Sequence, residues 1–169
     1  MESSQAIALR SLLESQQVAS LATLHKSEPA VSMVPYALLP QGRGFVVHVS
    51  RLATHTADML ANPAVALLVI APPRSAASPQ ELQRASVQGI ARQCAATSSE
   101  YSQAQALYQA RFPQSKQMFG FSDFSLFIVA PLSVRFVGGF AQASSISAEK
   151  FSIIMSAPPH EHSAQSGKG

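Results

Sequence analysis

The densest run of chemically useful side chains lies between residues 45 and 56: Phe45-Val46-Val47-His48-Val49-Ser50-Arg51-Leu52-Ala53-Thr54-His55-Thr56. A strand pattern ends at Ser50 and a helix pattern begins a few residues later. The junction gathers three hydroxyls (Ser50, Thr54, Thr56), the Arg51 guanidinium, the His55 imidazole and the free N–H groups of a helix start. Together these suit an anion, and phosphate is the natural guest. The plainer alternative is a capped helix, with Thr54 or Ser50 as the cap and Arg51 in solvent. His160-Glu161-His162 also has metal-ligating types, but it sits in a Pro, Ser and Gly tail without a Cys-x-x-Cys, so no metal site is expected there.

Much other chemistry is excluded by what the chain lacks. Nine acidic residues, of which Asp58 and Asp123 are the aspartates, offer no converging carboxylates for two-metal hydrolysis or a glycosidase pair. There is no phosphate-binding Gly-x-x-x-x-Gly-Lys-Ser/Thr loop and no Gly-x-Gly-x-x-Gly after a strand, and Gly42-Arg43-Gly44 reads as a turn. Twelve basic residues give a net charge of +3. They are scattered singly without interleaved aromatics, so no nucleic-acid partner is expected. Most of them are arginines, which favour fixed recognition of phosphate or carboxylate. Cys94 is the single cysteine, so an intrachain disulfide is impossible and a reducing, cytoplasmic setting is expected. Cys94 itself reads as a half-buried strand residue.

The elements that must position these groups follow from composition and periodicity. In 169 residues, 47% are apolar and only 12% charged, against about a quarter charged in an average soluble protein. A partner subunit is expected to cover part of the exterior. The organisation expected is one domain over residues 1–155 and a flexible tail over 156–169. The longest apolar run, Ala64 to Ala71, is too short for a membrane span, and the start carries no basic signal-peptide region. No membrane partner is expected.

Spacing predicts a helix from Ser4 to Gln17, with Ile7, Leu9, Leu12 and Leu13 on one side. It then predicts strands over Val18 to Leu24, Ala30 to Leu39 and Phe45 to Ser50, joined by short turns. A short helix from Thr54 to Leu60 ends at Asn62-Pro63. The continuous apolar run Val65 to Ile70 predicts a strand buried on both faces. A loop rich in Pro, Ser and Ala follows, then a strand over Arg84 to Cys94 and a helix over Ser98 to Phe112. Pro131 is expected to separate two strands, Ser125 to Ala130 and Ser133 to Ala143, and Phe151 to Met155 forms a last strand or helix. The fold class expected is mainly β: six or seven antiparallel strands closing as a small split barrel, with helices plugging the openings. Phe119, Phe121, Phe124 and Phe127 read as core, His25 as a turn residue and His48 as a strand residue.

The order of these pieces resembles a known family. The pieces are Ser32-Met33-Val34-Pro35-Tyr36, the strand–helix junction with Ser50-x-Leu52-Ala53-x-His55-Thr56, Asn62-Pro63, the apolar strand and Arg84-x-x-x-x-Gly89. They continue with Asp123-Phe124-x-Leu126-Phe127 and Gly138-Gly139-Phe140-Ala141-Gln142-Ala143. Over residues 5–155 the chain resembles the pyridoxamine 5′-phosphate oxidase-like, FMN-binding split-barrel superfamily, within it most nearly the haem-utilisation (HugZ-like) branch. That resemblance implies FMN held between the subunits of a homodimer, and a flavin reductase or an oxidase that takes a small-molecule substrate or electron donor. It places Ser32 and Met33 beside the ribityl chain and ring, and Val49, Ser50 and Arg51 against ring and phosphate. Thr54 and His55, followed by Thr56, stand where the oxidases carry an Arg-Lys pair for the phosphate. Arg84 stands at the place of a flavin-contacting glutamine, with Gln88 nearby.

The Arg-Leu-Ser/Ala-Pro ending that holds the vitamin substrate of the true oxidases is not recognisable, so oxidation of pyridoxamine phosphate is not expected. In the haem branch the resemblance implies instead an axial histidine in the tail, His160 or His162, supported by the Asp123 carboxylate. A third reading is a flavin binder without turnover.

Overall fold

Lys26 and Ser27, both at positive φ (50° and 69°), turn Val18–His25 (β1) back onto Glu28–Pro35 (β2) as an antiparallel hairpin. The computed structural model describes residues 3–75, 78–140 and 142–157. After β2 the expected strand breaks at Tyr36. Its amide donates to the Gln17 carbonyl at 3.1 Å, and its buried hydroxyl donates to the Leu13 carbonyl at 2.8 Å. A short strand, Ala37–Leu38 (β3), then pairs with Phe45–Ser50 (β4).

Ala64–Ile70 (β5), Arg84–Gln93 (β6), Phe124–Gly139 (β7) and Gln142–Ser147 (β8) complete an antiparallel sheet. Its order is β2-β1-β5-β6-β7-β4-β3, with β8 on β7. The two ends of that order, β2 and β3, are separated in the chain by Tyr36 alone, so the sheet curls into a split barrel.

β7 is the spine. It pairs with β6 along its length, with β4 through Phe124 to Val129 and with β8 beyond Pro131. Two strands were expected here, and one continuous strand is found. Proline lacks the N–H that a ladder needs, and a bulge on β7 itself, where Leu132 is left unpaired opposite the step from Gln88 to Gly89, absorbs the irregularity at Pro131. Gly89 is needed there, since a Cβ would lie 2.7 Å from the Ala130 carbonyl oxygen.

Inward side chains, among them Leu21, Val47, Leu67, Val87, Val129 and Phe136, fill the barrel. Its openings are plugged by Ser3–Ser15 (α1), through Leu9, Leu12 and Leu13, and by Ala148–Ser156 (α4), through Phe151 and Met155. Ile7, expected on the buried side of α1, is exposed.

The strand buried on both faces is β4, not β5. Ser99–Arg111 (α3) lays Ala104 and Tyr108 over the outer side of β4, forming a second core with Val46, Leu126, Ile128 and a fully buried Cys94. On β5 only alternate residues (Val65, Leu67, Val69) are buried. An apolar run reports that a strand is buried somewhere, but the helix that covers it decides which face.

His48 lies beneath that cover. Its ring stacks on Phe119 at 3.8 Å and 3°, with Tyr108 edge-on and Phe124 tilted beside it. Phe119 and Phe124 therefore pack as core, as does Phe127 inside the barrel, whereas Phe121 is exposed. Burial pushes the His48 imidazole down to about 4, and its Nδ1 has no partner. The unfolded chain takes up the proton near pH 6.5 and the folded one only near 4, so stability is lost as pH falls through that interval. His48→Phe keeps the stack and removes the titration. Urea denaturation of this variant should show a stability loss between pH 6.5 and 4 that is smaller than the parent's by roughly 1–3 kcal/mol. An unchanged pH profile would refute the assignment.

Candidate functional site

The β4-to-α2 junction is built as the sequence suggests, but the Ser50 and Thr56 hydroxyls are already engaged. α2 spans Thr54–Ala61. The Ser50 hydroxyl donates to Asp123 Oδ2 at 3.0 Å and accepts from the Leu52 amide at 3.1 Å. Thr56 Oγ1 donates to the Ser50 carbonyl at 2.7 Å. The Arg51 amide donates to the Asp123 carbonyl at 2.6 Å, and the Arg51 guanidinium donates to the Ser122 carbonyl. Neither Ser50 nor Thr54 caps α2. Ala53 holds the cap position, with no side-chain bond to offer.

The groups left facing solvent at this junction are therefore Arg51, Thr54 and the first N–H groups of α2. His55 is half-buried. Burial holds its imidazole below the usual value, an effect opposed by the nearby Asp58 carboxylate, so it is a neutral dipole at neutral pH. Val49 turns into the barrel core and Thr56 is buried, so both support the junction from within.

One cluster escaped sequence reasoning. Asp58, on α2, is buried and bonded to Thr23 Oγ1 at 2.9 Å and to His25 Nδ1 at 2.8 Å, which ties the helix to β1. The His25 bond is the main reason its carboxyl lies below the usual range. The available signal was a single acid flanked by Ala57 and Met59 on a short helix, which burial makes costly unless it is partnered.

The remaining expected residues lie elsewhere, on the outer face of the sheet. Strand register aligns Met33, Ser20, Leu68, Ser86, Arg135 and Ser145 in one row across six strands. The next row runs Val31, Ala22, Ala66, Gln88, Ser133 and Ser147. Small side chains make the middle of this face a shallow floor. Met33 (63% exposed) and Val31 (74%) stand at one edge, with Arg84 and Arg135 toward the other. Ser32 belongs to the opposite, inward side of β2, and its hydroxyl is buried without a partner.

Ser50 pairs with Phe124, whereas Arg84 pairs with Val137, thirteen residues further along β7. At about 3.3 Å per residue that is roughly 40 Å of strand. One chain therefore holds two regions: the junction with Ser50, Arg51, Thr54 and His55, and the outer face with Met33, Arg84 and Gln88. Asp123 belongs to the junction. His160 and His162 lie outside the described residues. The donors available, guanidiniums and hydroxyls around a floor of small residues, fit a flat ligand with an anionic end. Among the described residues no cluster has the composition of a metal site.

Comparison with known proteins agrees with this architecture. The pyridoxamine 5′-phosphate oxidase family matches residues 6–138, and the chain belongs to that family. Its relatives include haem proteins. It is 31% identical over 119 residues, 70% of this chain and 35% of the relative, to the non-canonical heme oxygenase HOZ of Arabidopsis thaliana chloroplasts. The structure of a heme-binding protein from Mycobacterium smegmatis superposes with a TM-score of 0.81 at 27% identity, over 90% of this chain and 62% of that one. Campylobacter jejuni ChuZ shares the fold, with a TM-score of 0.78 at 21% identity over 89% of this chain and 62% of that one. The chain thus spans about a third of the curated relative and under two thirds of these two structures. Among the described residues no helix is long and apolar enough to cross a membrane.

Asp58 is expected to control how α2 is seated. Its depressed pKa means that its contribution is present above the unfolded value near 3.9 and is lost as pH falls through the lower folded value. Asp58→Asn should lower Tm at pH 7 and narrow the gap to the parent at pH 3. A gap independent of pH would contradict the ion-paired role.

Proposed function

We propose that this protein binds haem on the outer face of its sheet, enclosed there by a second copy of the chain, with a tail histidine (His160 or His162) as the axial ligand. The observation that carries the reading is the platform itself. It is a floor of Ser20, Ala22, Ala66 and Ser86, with Leu68 between the two serines and Met33 at one edge, bordered by arginines with no acidic side chain in the groove they line. A ring of porphyrin size needs a flat floor with apolar contacts and cations at its carboxylate edge, and this face offers small residues with Leu68, Met33 and Val31 among them and arginines beyond. The named functions of the heme-binding relative from Mycobacterium smegmatis and the heme oxygenase from Arabidopsis thaliana support the same choice.

Bound haem supplies an iron for axial ligation and redox chemistry. The chain's own share is to exclude water from the ring, hold its charged edge and present an imidazole. Whether turnover follows depends on an electron donor, a small molecule in this reading.

A second reading is FMN, alone or with oxidoreductase activity, favoured by the free N-terminus of α2 beside Arg51. In that reading one copy's junction holds the phosphate while its partner's outer face meets the ring.

Absorbance spectra separate the two. Hemin titrated into the purified chain should give a Soret band shifted from free hemin at one equivalent or less per chain. His160→Ala/His162→Ala should lose the axial-ligand signature while leaving the fold intact by circular dichroism. Saturable FMN binding with no Soret shift would replace the haem reading by the flavin one.

A further inference from the structure

Two arginines on the outer face are unusually placed. Arg84 on β6 and Arg135 on β7 are diagonal neighbours, since Ser86 pairs with Arg135 and Arg84 pairs with Val137. Both point outward, with Cα atoms about 7–8 Å apart at such register. They line one groove of about 300 Å³ together with Ser86, Gln80, Gln142 and the largely exposed Phe140.

No acidic side chain lines the groove, and among the described residues neither arginine enters a salt bridge. Arg84 Nη1 donates to the backbone carbonyls of Gln80 (3.3 Å) and Leu82 (3.0 Å), which fixes its stem while leaving other donors open. Arg135 reaches the Ser145 hydroxyl only at 3.5 Å. Like charges set side by side on a sheet are mutually unfavourable. An uncompensated pair of guanidiniums, each with a fork of donors, is the arrangement that recognises carboxylate or phosphate.

From the groove, the same rows run directly onto the apolar floor. Arg135 is followed across the sheet by Ser86, Leu68, Ser20 and Met33, and Arg84 by Ile70. At about 4.8 Å per strand, the distance from Arg135 to Met33 is roughly 19 Å, room for a porphyrin- or flavin-sized ring with its anionic end at the arginines.

We infer that Arg84 and Arg135 form a clamp for the anionic end of the planar ligand, a pair of carboxylates or a phosphate, and so set which way round the ring lies. The inference rests on the reading of the outer face as the ligand platform. It differs from the junction at Arg51 in location, and it brings in a residue, Arg135, that neither motif nor spacing singled out. The shared chemistry has two sources, the propionates of haem and the phosphate of a flavin nucleotide, and each has a neutral counterpart.

The test compares the parent with Arg84→Gln, Arg135→Gln and the double variant, and Arg51→Gln reports on the rival anion site at the α2 junction. All four are exposed or half-exposed changes, and their folding is checked by circular dichroism. The probes are protoporphyrin IX against its dimethyl ester, FMN against riboflavin, and inorganic pyrophosphate followed by thermal shift. Each single outer-face variant should weaken the diacid or the phosphate form by about tenfold. The ester or riboflavin should bind the parent and the variants alike. Loss of discrimination with the porphyrin pair assigns the clamp to propionates, and loss with the flavin pair assigns it to phosphate.

Parent affinity for the diacid that survives in the double variant, or falls only in Arg51→Gln, would overturn the clamp. A parent that takes up no ring compound yet is stabilised by pyrophosphate only with both arginines present would keep the anion clamp and discard the haem proposal. A parent unaffected by any probe would discard both.

Discussion

Apolar surface removed from water is worth about 25 cal/mol per Å², and this sheet leaves much of one face in it. The barrel interior is filled, α1 and α4 close its ends, and α3 covers the outer side of β4. Nothing among the described residues covers the outer side of β2, β1, β5 and β6, where Val31, Met33, Leu68 and Ile70 stand over small neighbours. That imbalance follows from topology. The described helices lie on the ends of the barrel and on β4, which leaves the far side of the sheet open. In the proposed function, a flat ligand and a second copy supply its cover.

The sharp sequence signals were those with local causes. Phe45 to Ser50 starts at Gly44 and ends where Arg51 turns the chain, so its bounds follow from punctuation alone. Thr54 to Ala61 is stopped by Asn62-Pro63 in the same way. The signals that misled had causes elsewhere in the fold. Val65 to Ile70 has the pattern of a doubly buried strand, but the helix that would bury its second face lies over β4. Pro131 has the character of a strand terminator, yet a bulge at Leu132, opposite Gln88 and Gly89 of the neighbouring strand, accommodates it. Tyr36 breaks a strand that local propensity continues, because its hydroxyl bonds α1.

The site was partly legible for the same reason. The order Ser50, Arg51, Thr54, His55 marks a strand–helix junction, and the structure contains it. That order does not reveal that Asp123, from seventy residues later, takes the Ser50 hydroxyl, or that Asp58 and His25 clamp α2 to β1. Nor does it separate Arg84 from the junction, since distance along β7 depends on pairing register. The diagonal juxtaposition of Arg135 and Arg84 across β6 and β7 has no linear trace at all. Chemistry carried by neighbours in the chain is visible in a sequence, and chemistry carried by register becomes visible only in the fold.

The central claim is that the uncovered face is where two chains meet around one flat ligand. Sedimentation of the parent and of Leu68→Arg, each with and without hemin, tests it most directly. The account predicts a parent of twice the 17.9 kDa chain mass that carries hemin with it. It predicts a folded Leu68→Arg variant that sediments as a single chain and leaves hemin behind. A parent that sediments as one chain while holding hemin fully, or a Leu68→Arg variant that stays paired and loaded, would contradict it.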